Sequence, residues 1–192
     1  MAVIIDTSSL VMIARNYLPL DKSGELLRFI EDAFNSGELL LLDAVLSEAK
    51  RVAQGIVLER MPFLGKPELA INTKELLPIK PKEFSHLINN SFVVTAKRKM
   101  LSDVEFDLLK QEFLTVADSK IILYCFNLQR SNRLSLDDSW VMPDETRQQN
   151  DGKLYKKLPI LCDIIDVNVM TAVDFLNKHG FELVQSLKPV TT

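Results

Sequence analysis

Four apolar residues, Ala2-Val3-Ile4-Ile5, run directly into an aspartate, Asp6, and then into Thr7-Ser8-Ser9-Leu10. A run this short and β-branched reads as a buried strand. The hydroxyl residues that follow are helix-starting residues. Asp6 is therefore expected where a central strand turns into a helix. In an open α/β sheet, that carboxyl edge is where ligand sites are built. Burying a carboxylate there is unfavourable unless something compensates it, often a metal. What matters is which other acids reach the same edge.

The rest of the chain alternates in the same way. Leu26, Ile30, Ala33 and Phe34 repeat at helical spacing between Lys22 and Ser36, and Gly37 ends that helix. Leu39 to Leu42 is a second buried strand. Asp43 opens a helix whose inner face is Leu46, Ala49, Val52, Ala53 and Ile56. Glu59 to Pro81 carries Pro62, Pro67, Pro78 and Pro81, and reads as an irregular excursion with room for one short helix or strand. Phe84 to Leu114 is helical in pieces, with Lys97-Arg98-Lys99 in the middle. Thr115 to Arg130 is a strongly apolar helix, and Ser139 to Met142 a short strand. Asp144 to Lys157 is polar, basic and aperiodic, and is expected to be mobile. Asp163 to Val167 is expected to form a late strand, and Thr171 to Lys178 the last helix, stopped near Gly180. Strands alternating with helices imply an α/β fold: a mostly parallel sheet flanked by helices.

With 192 residues, 47% hydrophobic and 26% charged, the chain suits one globular domain. No apolar stretch is long enough to span a membrane, and no basic region precedes the first apolar run, so a cytoplasmic protein is expected. Cys125 and Cys162 lie in apolar surroundings and read as reduced core residues. A formal net charge of -3 argues against coating nucleic acid by bulk electrostatics. It is compatible with a nuclease, which needs only a local basic rim and metal ions.

Further acids stand in positions comparable to Asp6. Glu48 lies in the helix after the second strand, Asp118 in the first turn of the apolar helix, and Asp144 and Glu145 directly after the Trp140–Met142 strand. In a parallel sheet these places converge on one edge. Clustered carboxylates repel one another and need compensation. Oxygen-only ligands suit a hard cation such as Mg²⁺ or Mn²⁺, whose bound water can attack a phosphodiester. No Ser-His-Asp arrangement, Cys-His pair or Gly-rich phosphate loop competes with this reading. His86 and His179 stand alone and read as surface or packing residues. Each acid by itself also has a plainer reading. Asp6 is equally a helix cap, Glu48 a solvated helix residue, Asp118 a first-turn acid favoured by the helix dipole, and Asp144 and Glu145 loop residues. Only their joint placement raises the metal site above these. Lys97-Arg98-Lys99, and Arg147, Lys153, Lys156 and Lys157, are likewise solvated faces unless they flank the acidic edge.

Three segments, Ile4-Ile5-Asp6-Thr7-Ser8-Ser9-Leu10, Leu46-Ser47-Glu48-Ala49 and Val116-Ala117-Asp118-Ser119-Lys120-Ile121-Ile122, resemble the PIN-domain family of nucleases in order and rough spacing. The stretch Trp140 to Cys162, with Lys157-Leu158-Pro159-Ile160-Leu161-Cys162, is similar to the bacterial and archaeal branch related to VapC-type toxins. The resemblance implies a single PIN-like domain over residues 1–192, of three-layer α/β/α Rossmann-like architecture, to which the excursion at 59–115 adds little. It implies Mg²⁺- or Mn²⁺-dependent cleavage of RNA, and it leaves open an antitoxin protein and a homodimer as partners. By position, Asp6, Glu48 and Asp118 match the family's leading acids, and Ser8 matches a supporting hydroxyl. Glu145 fits best as the fourth acid, with Asp144 adjacent and Asp163 or Asp166 as alternatives. Pro143 stands where the family has threonine or serine. A non-catalytic PIN-like scaffold binding RNA or protein is the alternative function. Haloacid-dehalogenase-type phosphatases also begin with a strand ending in Asp, but need a second Asp where this chain has Ser8.

Overall fold

A computed structural model describes residues 2–131, 139–148 and 152–181. Its centre is a five-stranded, all-parallel sheet in the order β3-β2-β1-β4-β5, formed by β1 (Ala2–Ile5), β2 (Leu39–Leu42), β3 (Ala70–Ile71), β4 (Ser139–Met142) and β5 (Asn168–Val169). Val3, Ile4 and Ile5 in β1 and Leu39, Leu41 and Leu42 in β2 are buried. Strands covered by helices on both faces have no solvent side to show, which is why they read as continuous apolar runs rather than as alternation. The architecture is that of a three-layer Rossmann-like α/β fold.

The helices follow in chain order. α1 (Thr7–Met12) leaves β1 and runs on through a π-helical stretch at Ile13–Tyr17, and α2 (Glu25–Asn35) buries Leu26, Ile30, Ala33 and Phe34 as their spacing requires. α3 (Asp43–Ala49) leaves β2 and packs against α1. The expected continuation of its inner face to Ile56 is not seen. Ala53 and Gln54 take left-handed φ values of 52° and 58°, and a separate helix, α4 (Ile56–Arg60), starts after them. Left-handed backbone breaks the helical ladder, so apolar spacing there does not mean one helix. β3 is the short strand of the proline-rich excursion. Asp43 ties it down, accepting from the Thr73 amide at 2.9 Å and the Thr73 hydroxyl at 2.5 Å.

α5 (Pro81–His86), α6 (Thr95–Arg98) and α7 (Asp103–Phe113) supply the helical pieces expected before Leu114. In the basic Lys97–Lys99 run, Arg98 lies over the Phe106 ring and pairs with Asp103 at 2.7 Å. α8 (Ala117–Arg130) is the apolar helix, with Ile121, Ile122, Cys125 and Phe126 buried, and it packs against α3. α9 (Leu158–Ile164) and α10 (Ala172–Lys178) close the described chain.

Two further expectations are corrected. Asp163 and Ile164 belong to the end of α9, and the late strand is Asn168–Val169 instead. Pro159 in the first turn of α9 favours helix there, because the proline ring presets the helical φ and the missing N–H would have no partner in that turn. The stretch expected to be mobile is pinned over its described part after Gly152. Tyr155 bridges Val93, Leu154 O accepts from Val94 N at 2.8 Å, and Lys156 N donates to Phe92 O at 2.9 Å. Residues 149–151 lie outside the described residues. Both cysteines are free and buried. His179 packs on Phe29 and Phe175 with Nε2 2.9 Å from Glu38 Oε1, and His86 Nδ1 is 3.2 Å from Asn90 Nδ2. No helix among the described residues is long and apolar enough to cross a membrane.

Candidate metal centre

The strand order reverses between β1 and β4: β2 and β3 lie to one side of β1, and β4 and β5 to the other. The two connections leave in opposite directions, so a crevice opens at the carboxyl ends of β1 and β4. Asp6 follows Ile5, which pairs with Met142, so Asp6 and Asp144–Glu145 leave adjacent strand tips. The tips are stitched together. Met142 O accepts from Asp6 N at 3.1 Å and from Ser9 Oγ at 2.8 Å. Ser8 Oγ donates to Asp6 Oδ2 at 2.5 Å and accepts from Asp144 N at 2.9 Å. The supporting hydroxyl thus fixes Asp6 and the start of the β4 loop at once.

Asp6 is both things its sequence context allowed. It is the N-cap of α1, accepting from Ser8 N at 3.1 Å, and it is a 6% exposed carboxylate facing other acids. Burial raises its pKa above the ordinary carboxylate value. The Ser8 hydroxyl and the Ser8 and Thr7 amides pull it back, and the charge of Glu48 adds to the rise. Asp118, in the first turn of α8, is pushed up to about 8, first by burial and then by the charges of Asp6, Glu145 and Glu48, with Lys153 opposing. Glu48 is half-buried on α3 and accepts from Thr7 Oγ1 at 3.0 Å.

The loop after β4 separates its two acids. Glu145 stands at the rim. The residue is exposed, while its carboxyl accepts from Leu158 N at the start of α9 at 3.0 Å. Partial desolvation raises its pKa, the Leu158 hydrogen bond lowers it, the Asp6 charge raises it, and Lys157 and Lys153 lower it. Asp144, raised by desolvation, puts its charge on Tyr17 instead. Asp6, Glu48, Asp118 and Glu145 therefore form one electrostatic group, and Asp144 stands outside it. Asp163 is engaged by Arg147, with contacts of 2.9 and 3.0 Å, and Asp166 sits in a left-handed turn after α9.

An all-oxygen set of mutually repelling carboxylates fits a hard divalent cation, which would remove both the repulsion and the bound protons. The fit is open rather than closed: among the described residues, no group of three or more His, Cys, Asp or Glu side chains is arranged to hold a metal ion as it stands. Completing a coordination sphere requires the side chains to move or water to fill it, and Mg²⁺ normally keeps several waters.

Two clefts flank the acids. One, of about 420 Å³, is lined by Asp118 and Glu145 together with Lys153, Lys156 and Lys157. Three of the four basic residues read from the sequence thus reach the acidic edge. The Lys156 ammonium donates to Ser91 O at 2.8 Å, and Arg147 is held by Asp163. The second cleft, of about 320 Å³, holds Glu48 with Arg51, Lys74 and Lys120. Sequence reasoning passed over these three. Arg51 could have been found, because it lies one helical turn beyond Glu48, and Lys120 lies two residues after Asp118. Lys74 gave no signal, since β3 carries it in from the excursion. No protein-family model, no curated protein and no solved structure matches the chain.

Proposed function

We propose that this protein is a metal-dependent endoribonuclease of PIN type. The observation that carries the reading is the convergence of Asp6, Glu48, Asp118 and Glu145 at the switch point between β1 and β4. Asp6, which is buried, and Asp118, whose carboxyl feels the charges of the other three, would hold Mg²⁺ or Mn²⁺ directly. Glu48 and Glu145 would complete the site directly or through water. The bound cation supplies an acidified water nucleophile and neutralises charge on the phosphate oxygens. The protein's own part is positioning. Ser8 and the N-cap geometry fix the Asp6 carboxylate, the Leu158 amide fixes Glu145, and the lysines of the larger cleft hold the backbone phosphates.

The open geometry of the acids favours a second reading, a PIN-like scaffold that binds RNA without cutting it. A circular single-stranded RNA incubated with Mn²⁺ or with EDTA separates the two. Linear products in Mn²⁺ alone are expected from an endonuclease. Retention of the RNA by the protein with the circle intact under every metal would establish the scaffold.

A further inference from the structure

The larger cleft has an apolar side that phosphate binding does not explain. Its floor is Leu109, Phe113, Val116, Leu154 and Tyr155, and the Phe113 and Tyr155 rings stack 3.9 Å apart at 7°. The same cleft is lined by Lys153, Lys156 and Lys157 and by the acids Glu112, Asp118 and Glu145. Val116 is the informative residue. It is the N-cap of α8, with extended backbone at φ -79° and ψ 160° and no side-chain capping bond. Valine is among the poorest residues for that position. It is also 41% exposed, on the ridge that both clefts share.

We propose that this cleft is a nucleobase subsite. The base beside the scissile phosphate of a single RNA strand lies on the Leu109–Val116–Leu154 floor, with its phosphate toward the lysines and the acids. The charge pattern selects this occupant. A nucleotide joins a flat apolar face to an anion, and the cleft brings apolar side chains together with three lysines. A volume of about 420 Å³ lies within the range of small-ligand pockets. The Glu112 carboxylate, also lining the cleft, is placed to accept from an amino or imino group on the base edge. The identity of the strand rests on the nuclease reading; the subsite itself is measurable without cleavage.

The test uses the full chain in EDTA, with methyl NMR, titrated with the four nucleoside 5′-monophosphates and with ribose 5-phosphate as the base-free control. The nucleotides should shift the Leu109, Val116 and Leu154 methyl signals, and at least one should bind about tenfold more tightly than ribose 5-phosphate. Val116→Ser, which adds a cap and removes both methyl groups, should melt about 2–4 °C higher and bind that nucleotide several-fold more weakly. Ribose 5-phosphate binding as tightly as every nucleotide, or a Val116→Ser protein that melts higher and binds unchanged, would overturn the subsite. Nucleotide binding with no RNA cleavage in Mn²⁺ would sink the nuclease reading and leave the subsite standing.

Discussion

Asp118→Asn should lower the rate of RNA cleavage in Mn²⁺ by on the order of a thousandfold or more, and Asp6→Asn should do the same. The carboxamide keeps the shape of the side chain but loses the negative charge and much of its affinity for a hard cation. The metal's contribution to stabilising transition-state charge is several kcal/mol, and each ~1.4 kcal/mol is tenfold in rate. Asn is also among the better N-caps, so Asp6→Asn preserves the start of α1 and isolates the electrostatic role from the structural one. Single-turnover cleavage of a labelled RNA, with circular dichroism to confirm the fold, measures the effect. Rates within twofold of wild type for both variants would mean that neither acid touches the chemistry.

Without metal, Asp118→Asn should make the protein more stable at pH 8. The Asp118 carboxyl titrates near 3.8 in the unfolded chain and at about 8 in the folded one. Between those values the native state binds more protons than the unfolded state, so stability falls as pH rises through that window. Below it the contribution is fully present; above about pH 8 it is gone. One pKa unit corresponds to about 1.4 kcal/mol, so the loss across the window is of the order of a few kcal/mol. Asparagine cannot lose a proton there and removes the repulsion from Asp6, Glu145 and Glu48. Urea denaturation in EDTA at pH 5 and pH 8 should show the wild type losing stability across that interval and Asp118→Asn losing clearly less, the remainder coming from Asp6 and Glu145, whose carboxyls burial also raises. Equal pH dependence in the two proteins would show that Asp118 is neither buried nor crowded in solution.

β1 and β2 are readable because both of their faces are covered, and continuous apolar runs record that directly. Asp6 could be placed at a strand-to-helix junction because β-branched residues and hydroxyl residues signal the two sides of it. The end of α3 was not readable, because Ala53 and Gln54 carry no mark of the left-handed backbone that the tertiary structure imposes on them. The late strand begins later than the apolar run suggests, because Ile164 and Ile165 suit a strand as well as they suit the end of α9 and its C-cap. Within the site, the sequence brought the four acids to one edge but could not choose between Asp144 and Glu145. That choice depends on which carboxylate turns toward the Leu158 amide and which toward Tyr17, a property of the loop path rather than of residue type. The apolar lining of the larger cleft was invisible for the same reason: Leu109 and Leu154 are distant in sequence and line one cleft only in the fold, where Tyr155 is bridged to Val93 and stacks on Phe113.

The whole reading turns on Asp6 and Asp118 being ligands of one metal site. Anomalous diffraction at the manganese edge, from crystals grown with Mn²⁺, tests it most directly. A peak is expected in the crevice between β1 and β4, within about 2.0–2.4 Å of an oxygen of each of the two carboxylates, the range for hard-cation–oxygen bonds, and absent from crystals of Asp6→Asn. Well-ordered crystals with Mn²⁺ bound elsewhere or nowhere, and both carboxylates free of it, would show that these acids are not metal ligands.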